Sequence, residues 1–434
     1  MYLREAGTKA LARSANLEAV AYFTRALEVV ETLPLSDERE KQELALLLAL
    51  GPALQSTKGF GAPEIEPVYL RARELCQQLG ETSQLFPVLW GLWLLYLQRA
   101  ELQTARDLAM QLFSLAQHLR DTVLLLEAHH ALWATSFFLG ELSLAKAHSE
   151  HGIDLYDSQQ HRVLAFLYGG HDPGVCCRDF GALALWLLGY PDQALKRSHD
   201  ALALAEELSH PLTLAEALGY AAWLHEFRRE REAVQERAEA LLALASKHGF
   251  PYWLTQGTIL RGWALADEGQ TAEKNVAQMR QGLLAYRTTG AEVARSHYLV
   301  LLAKIYGKVK KAEEGLTVLS EALAWSRKNG GWYYEAELHR LKGELLLNAE
   351  CGMQNAEFVH RSAEESFSEA IEISRRQQAK SLELRAAMSL SGLWQRQGKK
   401  TEARQLLAEI YGWFTEGFDT ADLKAAKALL DELA

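Results

Sequence analysis

Histidines and cysteines come closest to forming a chemical cluster in this sequence. His161, His171, Cys176 and Cys177 fall within YDSQQHRVLAFLYGGHDPGVCC, residues 156–177, and His148 and His151 precede it. Imidazoles and thiolates are the donors of a tetrahedral zinc site, provided that they converge. Their spacing here matches no familiar zinc pattern, so the expectation is a turn histidine and two small buried thiols, with no metal. His129 and His130, in a helical stretch, read as packing or surface groups. No GxxxxGK[ST] phosphate loop occurs. GFGAPE, residues 59–64, begins like a dinucleotide fingerprint but lacks the third glycine and a preceding strand. A loop entering a helix with Pro63 in its first turn accounts for it. The expectation is a chain without catalytic residues or cofactor.

Composition narrows the field further. The 434 residues are 49% hydrophobic and 24% charged with only 9 prolines, a globular balance rich in helix formers. A net charge of -10, spread along the chain, repels nucleic acid and anionic membranes, so neither is an expected partner. Cys76, Cys176, Cys177 and Cys351 form no CxxC pair, which fits reduced thiols in a cytoplasmic protein. MYLREAGTKALARS has no apolar core and does not read as a signal peptide. The longest apolar run, LFPVLWGLWLLYLQ at 85–98, is too short to span a bilayer.

A repeat supplies the elements that position these groups. GYPDQALKRSHDALALAEEL, from Gly189, aligns with GELSLAKAHSEHGIDLY, RAELQTARDLAMQLFSLA, QGKKTEARQLLAEIYGWF and ANLEAVAYFTRALEVV. A marker alanine, or its stand-in, recurs at 19, 65, 105, 145, 194, 233, 275, 315, 363 and 403, about every 40 residues. Such a period means a solenoid. Before each marker lies a second segment with helical apolar spacing, often closed by a glycine: Gly140, Gly189, Gly269 or Gly398. The fold class expected is all-α: an α-α superhelix of about ten hairpins, one array over 1–434. A bend is expected around 156–177, an insertion at 347–362 and a connection at 32–41. A capping helix is expected over about 420–434, with Thr420 as N-cap and Lys424 and Lys427 on a wet face.

The units resemble tetratricopeptide repeats. Gly7, Ala19, Phe23 and Ala26 match that pattern in the first unit; Ala182, Ala194 and Ala201 match it in the fifth, where Ser198 replaces the bulky residue. Trp93 and Trp133 stand where the family has a small residue. LALWLLGYPDQAL, TILRGWALADEGQ, EAELHRLKGELLL and the segment from RRQQAKSLELRAAMSLSGLWQRQGKK onward resemble C-terminal arrays of bacterial class III adenylate or guanylate cyclase–ATPase signalling proteins and of MalT-type activators. The resemblance covers nearly the whole chain. It implies a non-catalytic interaction and regulatory region whose partner is a protein or an upstream ATPase or cyclase domain. Neighbour-only contacts would let such an array transmit small changes of curvature. The first unit, starting at Leu3 without a preceding cap, suggests a missing N-terminal neighbour.

By the register of that family, the first helix of each hairpin lines a concave face. The groove would present Trp90, His130, Phe137, Trp186, His225 and Trp263, then Lys304, Lys308, Arg385 and Arg396, a wall running from aromatic to basic. Trp90, Leu94, His130 and Ala134 occupy the positions of a carboxylate clamp, which disfavours that function. The alternative reading is a small-molecule, sugar-like effector held against Trp186, His225 or Trp263.

Overall fold

The computed structural model describes residues 2–80, 82–266, 272–349 and 356–434. Among these there are twenty-two α-helices and no strand. Ten hairpins follow one another. They are α1 and α2 (Tyr2–Leu11, Asn16–Glu31), α3 and α4 (Asp37–Lys58, Ile65–Leu79), α5 and α6 (Thr82–Gln98, Leu102–Leu119), and α7 and α8 (Thr122–Phe138, Leu142–Leu155). The short α9 (Ser158–His161) and a 3₁₀ turn (Arg162–Phe166) interrupt the series. It resumes with α10 and α11 (Pro173–Leu187, Pro191–Leu208), α12 and α13 (Pro211–Phe227, Arg231–His248), and α14 and α15 (Pro251–Leu265, Ala272–Thr288). The last hairpins are α16 and α17 (Arg295–Lys308, Ala312–Asn329), α18 and α19 (Glu335–Ala349, Ala356–Gln377), and α20 and α21 (Lys380–Arg396, Lys400–Tyr411), capped by α22 (Ala421–Glu432).

The marker positions lock each hairpin. Ala19, Ala105, Ala145, Ala194, Ala363 and Ala403 are fully buried, and Ile65 and Asn275 are buried with them. In the sixth unit the register is shifted by one residue: Val234 is fully buried, whereas Ala233 is only half-buried. An aromatic ring one helical turn after the marker fills a gap left by a glycine on the facing helix. A Cβ on Gly7 would sit 2.5 Å from Phe23, one on Gly51 2.4 Å from Tyr69, and one on Gly343 2.5 Å from Phe367. Trp93 and Trp133 are fully buried where small residues were expected; the Trp133 ring fits because its neighbour on α8 is Gly152, whose Cβ would lie 2.5 Å from it.

The superhelix completes a turn in five hairpins and then stacks on itself. The carbonyl of Gln98, at the end of α5, accepts from Glu292 N (2.7 Å) and Val293 N (3.1 Å), just before α16. The carbonyl of Phe138, at the end of α7, accepts from Trp332 N at 3.1 Å, just before α18. That of Trp186, in the last turn of α10, accepts from Ser381 Oγ at 2.5 Å, in the first turn of α20. Terminal carbonyls lack partners inside their own helix, and each here meets the amino end of a helix five hairpins on, with macrodipoles head to tail. Gly189 (φ +96°) and Gly140 (φ +77°) end first helices where the overlying turn touches down; a Cβ on Gly189 would meet Trp413 at 2.5 Å. Gly61 and Gly290 bring two backbones together in the same seam, and a Cβ on Gly61 would lie 2.3 Å from the Gly290 carbonyl.

These contacts correct two expectations. The first helices are not simply amphipathic: 15 of the 17 residues of α12 are buried, because one side faces α13 and the other faces the superhelix interior. Nor are contacts confined to neighbouring units, so curvature cannot change in one hairpin without disturbing the turn above it. The segment after α8 turns inward, and Tyr168, His171 and Asp172 are buried. Cys176 and Cys177 lie on α10 rather than in that turn. Of the expected connection at 32–41, residues from Asp37 onward are helical. The expected insertion at 347–362 is helical up to Ala349 and from Ala356; residues 350–355, with Cys351, and Gly269 lie outside the described residues. Thr420 precedes α22, but its hydroxyl donates to the Gly417 carbonyl (2.6 Å) instead of capping the helix. Lys424 and Lys427 are exposed.

Two pairs of substitutions test the packing. Ala194→Leu crowds a fully closed contact and costs about 1–3 kcal/mol in chemical denaturation. Ala233→Leu, at the half-buried position, costs less than half as much; the reverse order would refute the shifted register. Gly189→Ala places a methyl group in the seam between turns and lowers the melting temperature, whereas Gly398→Ala meets no neighbouring atom there and is tolerated better.

Candidate functional site

Inside the C-terminal half, the interior opens into a cavity of about 650 Å3 lined by residues of α12, α14, α16, α18, α20 and α22. Six cationic side chains face it: Arg229, Arg231, Lys304, Lys308, Arg340 and Arg385. Three carboxylates, Glu226, Glu337 and Glu344, share it. Within a chain of net charge -10, this is a local cationic excess. Another opening, of about 550 Å3, lies in the seam between turns at Gly140, Trp332 and Arg376; there Glu141 and Glu335 outnumber Arg376.

The cavity wall is a ladder of alternating charge carried by successive first helices. Lys304 Nζ on α16 lies 3.0 Å from Glu226 Oε1 on α12 and 3.2 Å from Glu337 Oε1 on α18. Arg340 grips Glu337 with both arms of its guanidinium, Nε to Oε2 at 2.7 Å and Nη2 to Oε1 at 2.9 Å, and also donates to Glu344. Arg385 on α20 donates to Asp422 Oδ2 of α22 (2.8 Å) and to the Phe227 carbonyl at the end of α12. Arg229 takes the other Asp422 oxygen at 3.0 Å. Burial alone would raise Glu337, but Arg340 and Lys304 outweigh it and hold the carboxyl well below the usual range. For Glu226 burial prevails over Lys304 and Arg385, and its carboxyl is raised. Glu226 Oε2 has no hydrogen-bond partner among the described residues; His297 Nε2 stands 3.5 Å away. Burial keeps His297 neutral, with Trp223 Nε1 donating to its Nδ1 at 3.2 Å.

Of the ten expected groove residues, the cavity brings together Trp263, Lys304, Lys308 and Arg385. Trp90, His130 and Phe137 are buried, at most 2% exposed, in the interior of the first superhelical turn. Phe137 packs on Tyr333 of the turn above, with ring centroids 4.9 Å apart. These three positions of the expected wall are therefore core: the second turn closes over Phe137, and the segment after α8 packs Tyr168 on Trp90 and His171 on His130, with ring centroids 5.3 and 5.0 Å apart. Trp186 is stacked on Phe227 (4.8 Å) with the Arg385 guanidinium 4.7 Å from its ring. His225 Nδ1 is held 2.6 Å from Glu230. Arg396 is exposed near the end of α20, outside the cavity lining. The partners that the sequence reading missed are Glu226, Glu337, Arg340 and Asp422. Their signal was present as opposite charges on successive first helices, but the register needed to align them across hairpins was not.

The histidine-rich segment also resolves into two groups. His129, on α7, meets His148 of α8, Nδ1 to Nδ1 at 3.0 Å, with the His151 ring 5.0 Å away. Burial lowers the His129 imidazole to about 4. Separately, His130 points inward and meets His171 and Cys176. His161 lies apart, accepting from Asp157 N at 2.9 Å, and Cys177 Sγ donates to the Gly174 carbonyl at 3.1 Å. No helix among the described residues is long and apolar enough to cross a membrane.

No known family model matches the chain. An uncharacterized protein of Rhizobium meliloti (strain 1021) is 30% identical over 349 residues, covering 79% of this chain and 33% of that protein. The chain thus spans about a third of the length of the curated relative it matches. Among solved structures, a Rap protein complexed with Competence and Sporulation Factor superposes with a TM-score of 0.62 at 14% identity, covering 86% of this chain and 97% of that one. The Rap conjugation gene regulator of plasmid pLS20, in complex with the Phr* peptide, gives 0.44 at 10% identity, covering 80% and 95%. The Rap superposition with its 0.62 score shows that the fold is a tetratricopeptide-like helical repeat.

Lys304 bridges two buried carboxylates, so Lys304→Met strips Glu226 of its paired cation and leaves Glu337 to Arg340 alone. Urea unfolding of that variant is expected to show a loss of about 3–5 kcal/mol. Lys304→Arg, which keeps the charge, should lose less; equal losses would mean that packing, not charge, is what Lys304 contributes.

Proposed function

We propose that the chain is a non-catalytic interaction region of a bacterial signalling protein. In this reading its C-terminal cavity takes an acidic segment of a partner protein or of a neighbouring ATPase or cyclase domain. The observation that carries the reading is the cationic excess at Arg229, Arg231, Lys304, Lys308, Arg340 and Arg385 inside an acidic chain. Charges on a mouth steer an oppositely charged segment, and a preformed wall saves the cost of ordering the site on binding. The Rap structure, whose superhelix has the same fold, holds Competence and Sporulation Factor, which supports a binding role for this architecture. The long Rhizobium meliloti relative supports a repeat region that works beside further domains. The same reading treats residues 1–434 as one continuous array.

Three observations weigh against a sugar-like effector stacked on an aromatic face. The Arg231 guanidinium sits 5.5 Å from the Trp263 ring, Arg385 occupies the Trp186 face, and Glu230 engages His225.

The test is calorimetric titration with acidic peptides that end in a free carboxylate. Affinity is expected to fall as salt rises, and Arg229→Ala and Lys308→Ala are each expected to weaken binding roughly three- to tenfold. Binding that is indifferent to both salt and these substitutions would refute an acidic ligand in this cavity.

A further inference from the structure

We propose that His130, His171 and Cys176 form a structural site for one zinc-class divalent cation, which staples the inward-turning segment after α8 to α7 and α10. His130 Nε2 lies 3.2 Å from His171 Nε2 and 3.1 Å from Cys176 Sγ. All three donor atoms fall within 4.8 Å of one another, and all three residues are buried. A cation held at ordinary zinc–nitrogen and zinc–sulfur lengths in tetrahedral geometry separates such donors by about 3.4–3.6 Å. The His130–His171 and His130–Cys176 spacings therefore need only small outward shifts to accept it.

The surroundings of the imidazoles already suit metal ligation. His171 Nδ1 lies 3.2 Å from the Gly169 carbonyl, which can only accept, so the proton is on Nδ1 and the Nε2 lone pair faces the cluster. His130 Nδ1 lies 3.1 Å from Glu127 Oε2, a buried carboxylate behind the ring. These are the outer partners that orient ligating histidines and make them better donors. Without a cation, two imidazole nitrogens and a thiol would crowd together in the interior.

The charge balance points the same way. Glu216 Oε1 stands 3.8 Å from His171 Nε2, and a cavity of about 30 Å3, lined by His130, His171, Cys176 and Glu216, leaves space at the fourth position. Glu216 Oε2 and both carboxylate oxygens of Asp179, one turn after Cys176 on α10, have no hydrogen-bond partner among the described residues. Two positive charges at the three donors would stabilise the thiolate and the neighbouring carboxylate together. Mixed nitrogen and sulfur donors select zinc over magnesium or calcium. All three ligand residues are buried, so the cation takes its place as the chain folds.

The experiment uses the full chain, unfolded with chelator and refolded with Zn2+ or Co2+ as the sole metal. One equivalent should bind per chain, the cobalt form should show a thiolate-to-cobalt charge-transfer band, and zinc should raise the melting temperature. Cys176→Ser should lose the band and at least tenfold in affinity, whereas Cys177→Ser and Cys76→Ser keep both. A folded wild-type chain without the band, or a band that depends on Cys177 or Cys76, would overturn the proposal. Should Cys176→Ser not fold, the wild-type band decides: its presence in both other serine variants supports the site, and its absence from the wild type rejects it.

Discussion

The constraint on which this structure depends is the unmet hydrogen-bonding capacity at helix ends. Each first helix of a hairpin ends with carbonyls that have no acceptor role inside the helix. Those of α5, α7 and α10 are met by backbone N–H or hydroxyl groups that open α16, α18 and α20, one superhelical turn later. Buried polar groups of the backbone are costly when unpaired, so the end-to-end register is enforced at these three steps. It sets the pitch and places glycine at the contact points Gly140 and Gly189. It also converts what would be an open ribbon into a closed, two-turn coil.

Closure changes what the concave face is. In the first turn it becomes a core of rings: Trp90, Trp93 and His130 pack together, and Phe137 joins Tyr333, Trp223 and His297 of helices far apart in sequence. In the second turn no third turn lies over it, and the interior stays open around Lys304 and Arg340. The different chemistry of the two halves follows. Where the coil is covered, apolar burial and neutral imidazoles prevail; where it is open, charges are held because they pair, the buried Glu226 and Glu337 with Lys304 and Arg340. The buried polar exceptions in the covered half, around His130, His171, Cys176 and Glu216, stand out against that background.

Much of this was legible in the residues. The 40-residue recurrence and the small residues at Ala19, Ala105, Ala194 and Ala403 give the hairpin count, because a small side chain there lets paired helices approach closely. The exception at Val234 was hidden by Ala233 beside it, since a sequence alone does not say which of two adjacent small residues turns inward. Trp263, Lys304, Lys308 and Arg385 line the cavity because α14, α16 and α20 each turn one face toward the interior. Trp90, His130 and Phe137 were on the right helices and facing inward too. What differed was the surface opposite them, which comes from Tyr168 and His171 of the inward-turning segment for Trp90 and His130 and from Tyr333 of the next superhelical turn for Phe137.

The chain's own pattern thus determined helix, hairpin and stacking order, all of which are local: they rest on periodicity within a helix and on contacts between neighbouring hairpins. Only the tertiary structure decided that the coil closes after five hairpins, that His130 meets His171 and Cys176, and that Lys304 bridges Glu226 and Glu337. The reason is geometric. A small rotation per hairpin, too slight to leave a mark in any one repeat, accumulates over five of them into the difference between an open groove and a sealed interior.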